Sequence, residues 1–281
     1  MTDVFDPRWL ELREPVDHRS RASVAASMIS HAWGERSWTR IVDLGSGTGS
    51  NVRYLSPRLP GPQQWTLTDR DGRLLDTARV PATAGTVTSI VHDLALAVAD
   101  DITEAEADLV TASAFLDLVS AEWLATVIQT CRSVQCGVYF ALTYDGTIQW
   151  HAAVDDPRPV DDPDDAAVRR AVNTHQRSDK GFGPALGPMA SLHAEAGFRA
   201  AGYRVWLLQS RWCLGPSDAA LVQMLIDGWE QAALEIDHEG EELASRHRYR
   251  AWAVRRREVV ASGHFGLSVG HLDLVALPGG V

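Results

Sequence analysis

The sequence is almost devoid of lysine. Of its 26 basic residues, 25 are arginine and one, Lys180, is lysine, against 37 acidic residues and a formal net charge of −11. An acidic chain is a poor general partner for nucleic acid or an anionic membrane, so we expect neither as a partner. The bias toward arginine, together with abundant alanine, is typical of a high-GC bacterial genome. A single arginine is therefore weak evidence of function in this chain.

Cysteine and long apolar runs are also scarce. The three cysteines, Cys131, Cys136 and Cys213, follow no zinc-site spacing, so no metal site is expected and reduced thiols are the simplest interpretation. No stretch of 18 apolar residues is present, which predicts that nothing spans a membrane. The first residues, MTDVFDPRWLELREP, are charged and lack the apolar segment of a signal peptide, which favours a cytoplasmic location.

The periodicity of apolar residues divides the 281-residue chain into a helical start and an α/β remainder. Residues 1–39 have helical spacing and are expected to form an N-terminal cap. Short apolar strands then alternate with helices, which predicts a doubly wound α/β fold with a mostly parallel, seven-stranded sheet. The predicted strands lie within 40–51, 65–69, 88–94, 107–115, 136–145, 203–212 and 264–278.

Two insertions interrupt this alternation. The stretch 146–188 contains DDPRPVDDPDD, which is too polar for a core element, and we expect a solvated loop or flap there. The stretch 216–262 is predicted as a pair of helices, of which the second is rich in arginine. The chain is therefore expected to be one domain over 40–281 that carries the cap and both insertions.

A glycine-rich turn follows the first predicted strand. The sequence DLGSGTG, from Asp43 to Gly49, has glycine at alternate positions. Gly45, Gly47 and Gly49 let the backbone turn sharply and approach a ligand without interference from a Cβ atom. The turn leads to the N-terminus of a helix, where free N–H groups and the helix dipole favour a negative group.

Two acidic residues end the next two strands. Asp69 lies twenty residues after Gly49, where a carboxylate can accept hydrogen bonds from ribose hydroxyls. Asp93 ends the third strand, where its carboxylate can reach an adenine amino group. Because the carboxyl ends of parallel strands meet in one crevice, the glycine turn and both carboxylates are expected to form a single cofactor site.

The DLGSGTG sequence resembles the first motif, E/D-x-G-x-G-x-G, of the class I S-adenosylmethionine-dependent methyltransferases, which have a Rossmann-like fold. The resemblance implies S-adenosylmethionine (SAM) as the cofactor and a catalytic methyltransferase domain with an antiparallel final strand. It also implies that the glycine turn wraps the methionine part of SAM, that Asp69 holds the ribose, and that Asp93 and Leu94 meet the adenine. The cofactor-binding residues predicted in this way are Asp43, Gly45, Ser46, Gly47, Gly49, Asp69, Arg70, Asp93, Leu94 and Ser113.

The acceptor of the methyl group is less constrained. The residues FLDLVS after the fourth strand lack the N/D-P-P-Y/F signature of amino-methylating DNA and protein enzymes, and no catechol-type metal set is visible. Long insertions suit an enclosed pocket, so we expect in-line methyl transfer to a small organic acceptor, as in specialised metabolism. Two alternatives stay open. One is an RNA or protein methyltransferase that docks through the arginine-rich helix at 241–260, and the other is a cofactor-binding partner subunit without catalysis.

Candidate catalytic residues lie in the insertions and at strand ends. The segment HQRSDK places His175 close to Lys180, the one lysine, where it could cover the site and hold a polar or anionic substrate, although a solvated loop is the simpler interpretation. Tyr144 ends the fifth strand and falls near the crevice, and Asp117, after the fourth strand, could face the acceptor. We predict His175, Tyr144 and Lys180 as catalytic residues.

Two further features have alternative interpretations. Arg19 and Arg21 could pair with the cofactor carboxylate, although a surface role suits either of them in an arginine-rich chain. The helical pair at 216–262 could form a lid over the site or the contact of a homodimer.

Overall fold

The computed structural model describes residues 7–236 and 243–279, in which eight strands form one sheet. They are β1 (Arg40–Leu44), β2 (Gln64–Asp69), β3 (Thr86–Val91), β4 (Leu109–Ser113), β5 (Gly137–His151), β6 (Tyr203–Gln209), β7 (Trp212–Leu214) and β8 (Gly266–Pro278). The order is β3-β2-β1-β4-β5-β8-β6, with β7 also paired to β8. β8 is antiparallel to β5, β6 and β7, and the other neighbours are parallel. The predicted fold class is confirmed, including its antiparallel final strand.

Helices cover both faces of this sheet. In the described residues they are α1 (Pro7–Ser20), α2 (Ser23–Arg36), α3 (Ser50–Leu55), α4 (Gly72–Asp76), α5 (Leu94–Glu104), α6 (Ala121–Val134), α7 (Asp165–His175), α8 (Ala190–Ala200), α9 (Ala219–Ile236) and α10 (Leu243–Ala261). The long helix α6 shows why they form. The Ser120 side chain caps its first turn by accepting a hydrogen bond from the backbone N–H of Trp123, and its buried residues recur every three or four positions.

Side chains that alternate along the strands build two apolar layers. Ile41 and Tyr139 point into the layer shared with α2 and α9, whereas Val42 and Phe140 point into the layer shared with α5, α6 and α8. Burial on both faces explains why these strands are nearly continuously apolar. The carboxyl ends of the strands, rather than either face of the sheet, are therefore the place where a ligand can bind.

The predicted sixth strand is divided in two. Residues 203–212 form β6 and β7 with a break at Ser210, whose backbone N–H donates to the carbonyl of His271 at 3.0 Å. The sheet therefore has eight strands rather than seven.

The first insertion contains regular structure that its polar composition did not predict. β5 continues to His151, and α7 occupies 165–175, so the expectation of a loop throughout 146–188 is wrong for these parts. Val168, Ala171 and Val172 are buried and supply the apolar face of α7. The run of aspartates lies before and in its first turn, where negative charge stabilises a helix.

The cap and both insertions pack against one another. α9 contacts α1, α7 and α10, and its Leu221, Leu225 and Trp229 are buried inside the chain. Residues 1–6 of the predicted cap and 237–242 of the predicted helical pair lie outside the described residues. Where helices are described, none is both long and apolar enough to cross a lipid bilayer.

One buried carboxylate joins the cap to the sheet. Asp273 of β8 is fully buried and accepts hydrogen bonds from the backbone N–H groups of Leu142 (2.8 Å) and Ala22 (3.0 Å) and from the Tyr139 hydroxyl (3.1 Å). Leu142 has a positive φ of 55° and lies where the β5–β8 register shifts. Asp273 therefore holds both the irregular point of β5 and the residue before α2.

We predict that Asp273→Ala lowers the free energy of unfolding by about 3–5 kcal/mol, because it leaves three donors, two of them buried, without an acceptor. Urea denaturation measures the loss. Asp155→Ala, at an exposed position, is the control and should stay within about 0.5 kcal/mol of the unsubstituted protein. A loss below about 1 kcal/mol for Asp273→Ala would show that the carboxylate does not fix the cap.

Candidate functional site

The glycine turn between β1 and α3 adopts a left-handed backbone at all three glycines. The φ angles are 64° at Gly45, 52° at Gly47 and 80° at Gly49. A Cβ atom on Gly45 would lie 2.7 Å from the ring of Phe115, so this position also needs glycine for a close approach. The turn leaves backbone, and not side chains, on the surface of the crevice.

Asp43 lies beneath this turn. It is 1% exposed, and its carboxylate accepts hydrogen bonds from the Thr111 hydroxyl (2.8 Å) and the Asn51 amide. Burial raises the pKa of Asp43 above its ordinary value. The carboxylate thus connects the start of α3 to β4 through hydrogen bonds. Direct contact between Asp43 and a cofactor stays a prediction.

Asp69, at the end of β2, contacts the glycine turn directly. Its carboxylate accepts hydrogen bonds from the backbone N–H groups of Gly47 (2.8 Å) and Asp71 (2.9 Å). The next residue, Arg70, is exposed, and its guanidinium lies beside Gly181 of the first insertion. The predicted residues of β1 and β2 therefore share one edge of the crevice with the insertion.

Asp93 and Leu94 lie at the neighbouring strand end. Asp93 comes two residues after Val91, the register partner of Asp69, and its exposed carboxylate caps α5 by accepting from the Ala95 N–H at 3.0 Å. Leu94 is buried, and its carbonyl accepts from the Trp123 indole at 2.7 Å. The fold therefore brings both predicted adenine-contacting residues to the expected edge.

Arg21, between α1 and α2, is a buried cation in the crevice. It is 5% exposed, and it donates to the Asn51 side-chain oxygen at 2.5 Å and to the Ser113 hydroxyl at 2.8 Å. Its guanidinium carbon lies 4.4 Å from the centroid of the Tyr54 ring. Among the described residues no carboxylate forms an ion pair with Arg21, and its Nε has no hydrogen-bond partner. A buried guanidinium without a carboxylate is costly, so this position suits an anionic ligand group.

Aromatic and polar side chains line the sheet under α1. The Trp212 indole donates to Asp17 at 3.0 Å, and Arg13 pairs with the same carboxylate at 2.9 Å while lying over the Trp212 ring. The ring of His271 lies 4.8 Å from that of Trp212 and 6.2 Å from that of Tyr144. Burial lowers the pKa of His271 to about 3, so its imidazole stays neutral.

Tyr144 and Asp117 lie at the ends of β5 and β4. The Tyr144 hydroxyl donates to Asn173 of α7 at 2.8 Å, and burial raises the pKa of this hydroxyl beyond its usual range. Asp117 is 7% exposed, and burial raises its pKa to about 6 despite the charges of Arg13 and Lys180. A carboxyl group that titrates near neutrality in a crevice is a candidate functional group. Asp117 is not among the predicted catalytic residues, because its burial cannot be read from the sequence.

His175 and Lys180 lie at the junction of the insertions. The His175 Nε2 atom is 2.8 Å from the Glu235 carboxylate of α9, and its Nδ1 atom is 3.4 Å from the Lys180 ammonium. Lys180 and Tyr144 both act on Asp117, so Asp117 links the three predicted catalytic residues. The role of His175, Tyr144 and Lys180 in catalysis stays a prediction. Within the described residues, no three His, Cys, Asp or Glu side chains converge as ligands for a metal ion.

The second half of the first insertion is anchored beside the glycine turn. The Phe182 ring packs against Phe115 and Trp123, with centroid distances of 5.4 and 5.7 Å. The backbone N–H of Leu186 donates to the carbonyl of Val119 at 2.8 Å. This segment is therefore attached to the end of β4 and covers the crevice.

Ion pairs neutralise much of the arginine-rich helix α10. Arg255 contacts Asp162 at 2.5 Å and Asp164 at 2.9 Å, and Arg248 contacts Asp164 at 2.6 Å. Arg256 pairs with Asp165 of α7, and Arg257 pairs with Asp227 and Glu230 of α9. Glu241 and Glu242, which the sequence places beside these arginines, lie outside the described residues. Because these arginines are paired within the chain, α10 is less suited to dock RNA or another protein.

Comparison with known proteins gives distant likenesses. No protein-family model and no curated protein sequence matches the chain. Among solved structures, it aligns with a SAM-dependent methyltransferase from Geobacter sulfurreducens in complex with S-adenosyl-L-homocysteine, at 18% identity and a TM-score of 0.43, over 97% of this chain and 99% of that one. It also aligns with a cyclopropane synthase from Mycobacterium tuberculosis, at 9% identity and a TM-score of 0.41, over 96% of this chain and 100% of that one.

A third structure is an O-methyltransferase family protein from Burkholderia thailandensis, at 14% identity and a TM-score of 0.44, with 97% of this chain and 58% of that one covered. Likenesses with TM-scores below 0.5 do not identify a cofactor or an acceptor. Both must be inferred from the residues of this chain.

The neutral state of buried His271 predicts a pH effect on stability. Its pKa in the folded chain is about 3, below the unfolded value near 6.5, so the unfolded chain binds the extra proton between these values. As pH falls from about 6.5, the wild type should therefore lose up to about 1.4 kcal/mol of unfolding free energy per pH unit relative to His271→Asn. Asp117 shifts in the opposite direction but is present in both proteins. Urea denaturation from pH 7 to 4 measures the difference, and parallel curves would contradict it.

Proposed function

We propose that the chain is a SAM-dependent methyltransferase that acts on a small organic acceptor. The observation that carries the proposal is the buried guanidinium of Arg21, which has no carboxylate partner among the described residues and lies beside the glycine turn. The methionine end of SAM bears a carboxylate that suits this position. The glycine turn would accommodate the same end of the cofactor, because Gly47 and Gly49 expose only backbone.

The residues at the other strand ends suit the remaining parts of SAM. Asp69 would hold the ribose hydroxyls, because its carboxylate oxygens keep acceptor capacity beyond their hydrogen bonds to backbone N–H groups. Asp93 and Leu94 would meet the adenine. When bound, SAM supplies a methyl group on a sulfonium, and since the leaving thioether is neutral, positioning of the acceptor provides much of the rate.

Two features support a small acceptor over a polymer. α9 contacts α1 and α7, and Phe182 of the first insertion packs against Phe115, which lies against the glycine turn, so these additions suit an enclosed pocket. The arginines of α10 are paired with aspartates of the first insertion. The apolar face of α9 is buried inside the chain, which favours the lid over the homodimer contact for 216–262, and a homodimer stays a prediction.

We predict that Arg21→Met selectively weakens binding of the carboxylate end of the cofactor. Calorimetry with S-adenosylhomocysteine and with 5′-methylthioadenosine, which lacks the amino-acid part, separates the two ends. Loss of a buried charge pair should reduce affinity for S-adenosylhomocysteine by roughly a hundredfold. Affinity for 5′-methylthioadenosine should change less than about threefold, since no charge pair is lost.

Arg19→Met is the matched control, because Arg19 is an exposed neighbour that pairs with Asp218. Its affinity for both ligands should match that of the wild type. If the wild type binds neither ligand, the proposed cofactor is wrong. Binding of S-adenosylhomocysteine without methyl transfer from SAM to any member of a small-molecule acceptor pool would favour the partner-subunit alternative.

A further inference from the structure

After the cofactor residues are assigned, the crevice keeps one buried carboxylate without a role. Asp117 is 7% exposed and lies in a short turn four residues beyond Ser113, the hydroxyl that accepts from Arg21. The position therefore adjoins the methionine end of the proposed cofactor site, and the inference below rests on that proposed function.

The cations that face Asp117 are balanced by other carboxylates. The charged groups near it are Arg13 from α1 and Lys180 from the first insertion, and the backbone of Tyr144 approaches it from β5. Arg13 already pairs with Asp17 at 2.9 Å. Lys180 lies beside His175 and within the electrostatic reach of Glu235. Asp117 thus adds negative charge to a region whose positive charges are otherwise compensated.

Neutral side chains lie on the β5 side of this carboxylate, where Tyr144 approaches Asp117 and the His271 ring lies 6.2 Å from the Tyr144 ring. The Tyr144 hydroxyl is engaged with Asn173, and burial keeps Tyr144 protonated. His271 carries no charge near neutral pH because burial lowers its pKa to about 3. A carboxylate beside a neutral tyrosine is a chemical environment that attracts an organic cation.

We propose that Asp117 binds the protonated amine of the acceptor and removes one proton from it, so that the acceptor of this protein is an amine. In this step the ammonium N–H bond breaks, its electron pair stays on nitrogen as the nucleophilic lone pair, and the carboxylate becomes a carboxylic acid. The acid later returns the proton to solvent. No oxidant or reductant is needed.

Other acceptor classes suit the position less well. An acceptor carboxylate would be repelled by Asp117 and needs no base. An aliphatic hydroxyl is a far weaker acid than an alkylammonium, so a carboxylate removes the ammonium proton more readily. Burial raises the pKa of Asp117 to about 6, which brings this base closer to neutral pH.

Binding of matched probes tests the proposal without turnover. Phenethylamine and 3-phenylpropanoate have a similar aromatic body and opposite charge. Each is titrated calorimetrically into the wild type and Asp117→Asn, both saturated with S-adenosylhomocysteine, at pH 7.5. We expect Asp117→Asn to bind phenethylamine about ten to a hundred times more weakly, as a lost charged hydrogen bond implies. It should bind 3-phenylpropanoate at least as well as the wild type.

A kinetic measurement follows the proton. With SAM and phenethylamine, kcat/KM of the wild type should fall as pH drops below about 6, since Asp117 is then protonated. Asp117→Asn should lose this dependence together with most of the rate, and Asp117→Glu should recover part of both. Asp155→Asn removes one exposed charge and serves as the control, with wild-type binding and kinetics expected.

The outcomes separate this inference from the proposed function. An unchanged affinity of Asp117→Asn for S-adenosylhomocysteine shows that the protein is folded and the cofactor site intact. The inference is overturned if the loaded wild type does not bind phenethylamine, binds it no better than Asp117→Asn does, or prefers 3-phenylpropanoate. Failure of the wild type to bind S-adenosylhomocysteine would instead overturn the proposed function.

Discussion

The position of the candidate site depends on one buried carboxylate. Asp273 ties the start of α2 to β8 and to the irregular point of β5 through three hydrogen bonds. Arg21 immediately precedes the tied residue, so its guanidinium is held within reach of Asn51 and Ser113. The hydrogen bonds of Asp273 in the core therefore determine the position of the Arg21 guanidinium near the carboxyl ends of the strands.

The parts of the fold that the sequence predicts are those with local causes. Alternating strands and helices predicted the sheet, because burial on both faces requires continuous apolar runs. The glycine turn and Asp69 were identifiable because their backbone and spacing requirements are written in consecutive residues. α7 was not predicted because the aspartates at its start are typical of a loop, although Val168 and Val172 have helical spacing.

The roles of Arg21 and Asp117 depend on long-range packing and could not be assigned in advance. Arg21 is one of 25 arginines and, unlike the buried Arg256, which pairs with Asp165, it forms no ion pair with a carboxylate in the described part of the chain. Asp117 has the sequence surroundings of an ordinary turn, and only burial raises its pKa. The sequence contained one sign of the ion pairs between α10 and the aspartates before α7. An acidic stretch lies in one insertion and a basic stretch in the other.

The scarcity of lysine has a practical consequence. Because Lys180 is the one lysine, it is the only side chain with a primary amine, and it lies beside His175 at the junction of the insertions. An amine-selective fluorophore would attach to no other side chain, at a point next to Phe182, where the first insertion is anchored over the crevice. Besides the α-amino group of the chain, Lys180 is therefore the one amine that such a reagent could use to observe that segment as ligands enter and leave.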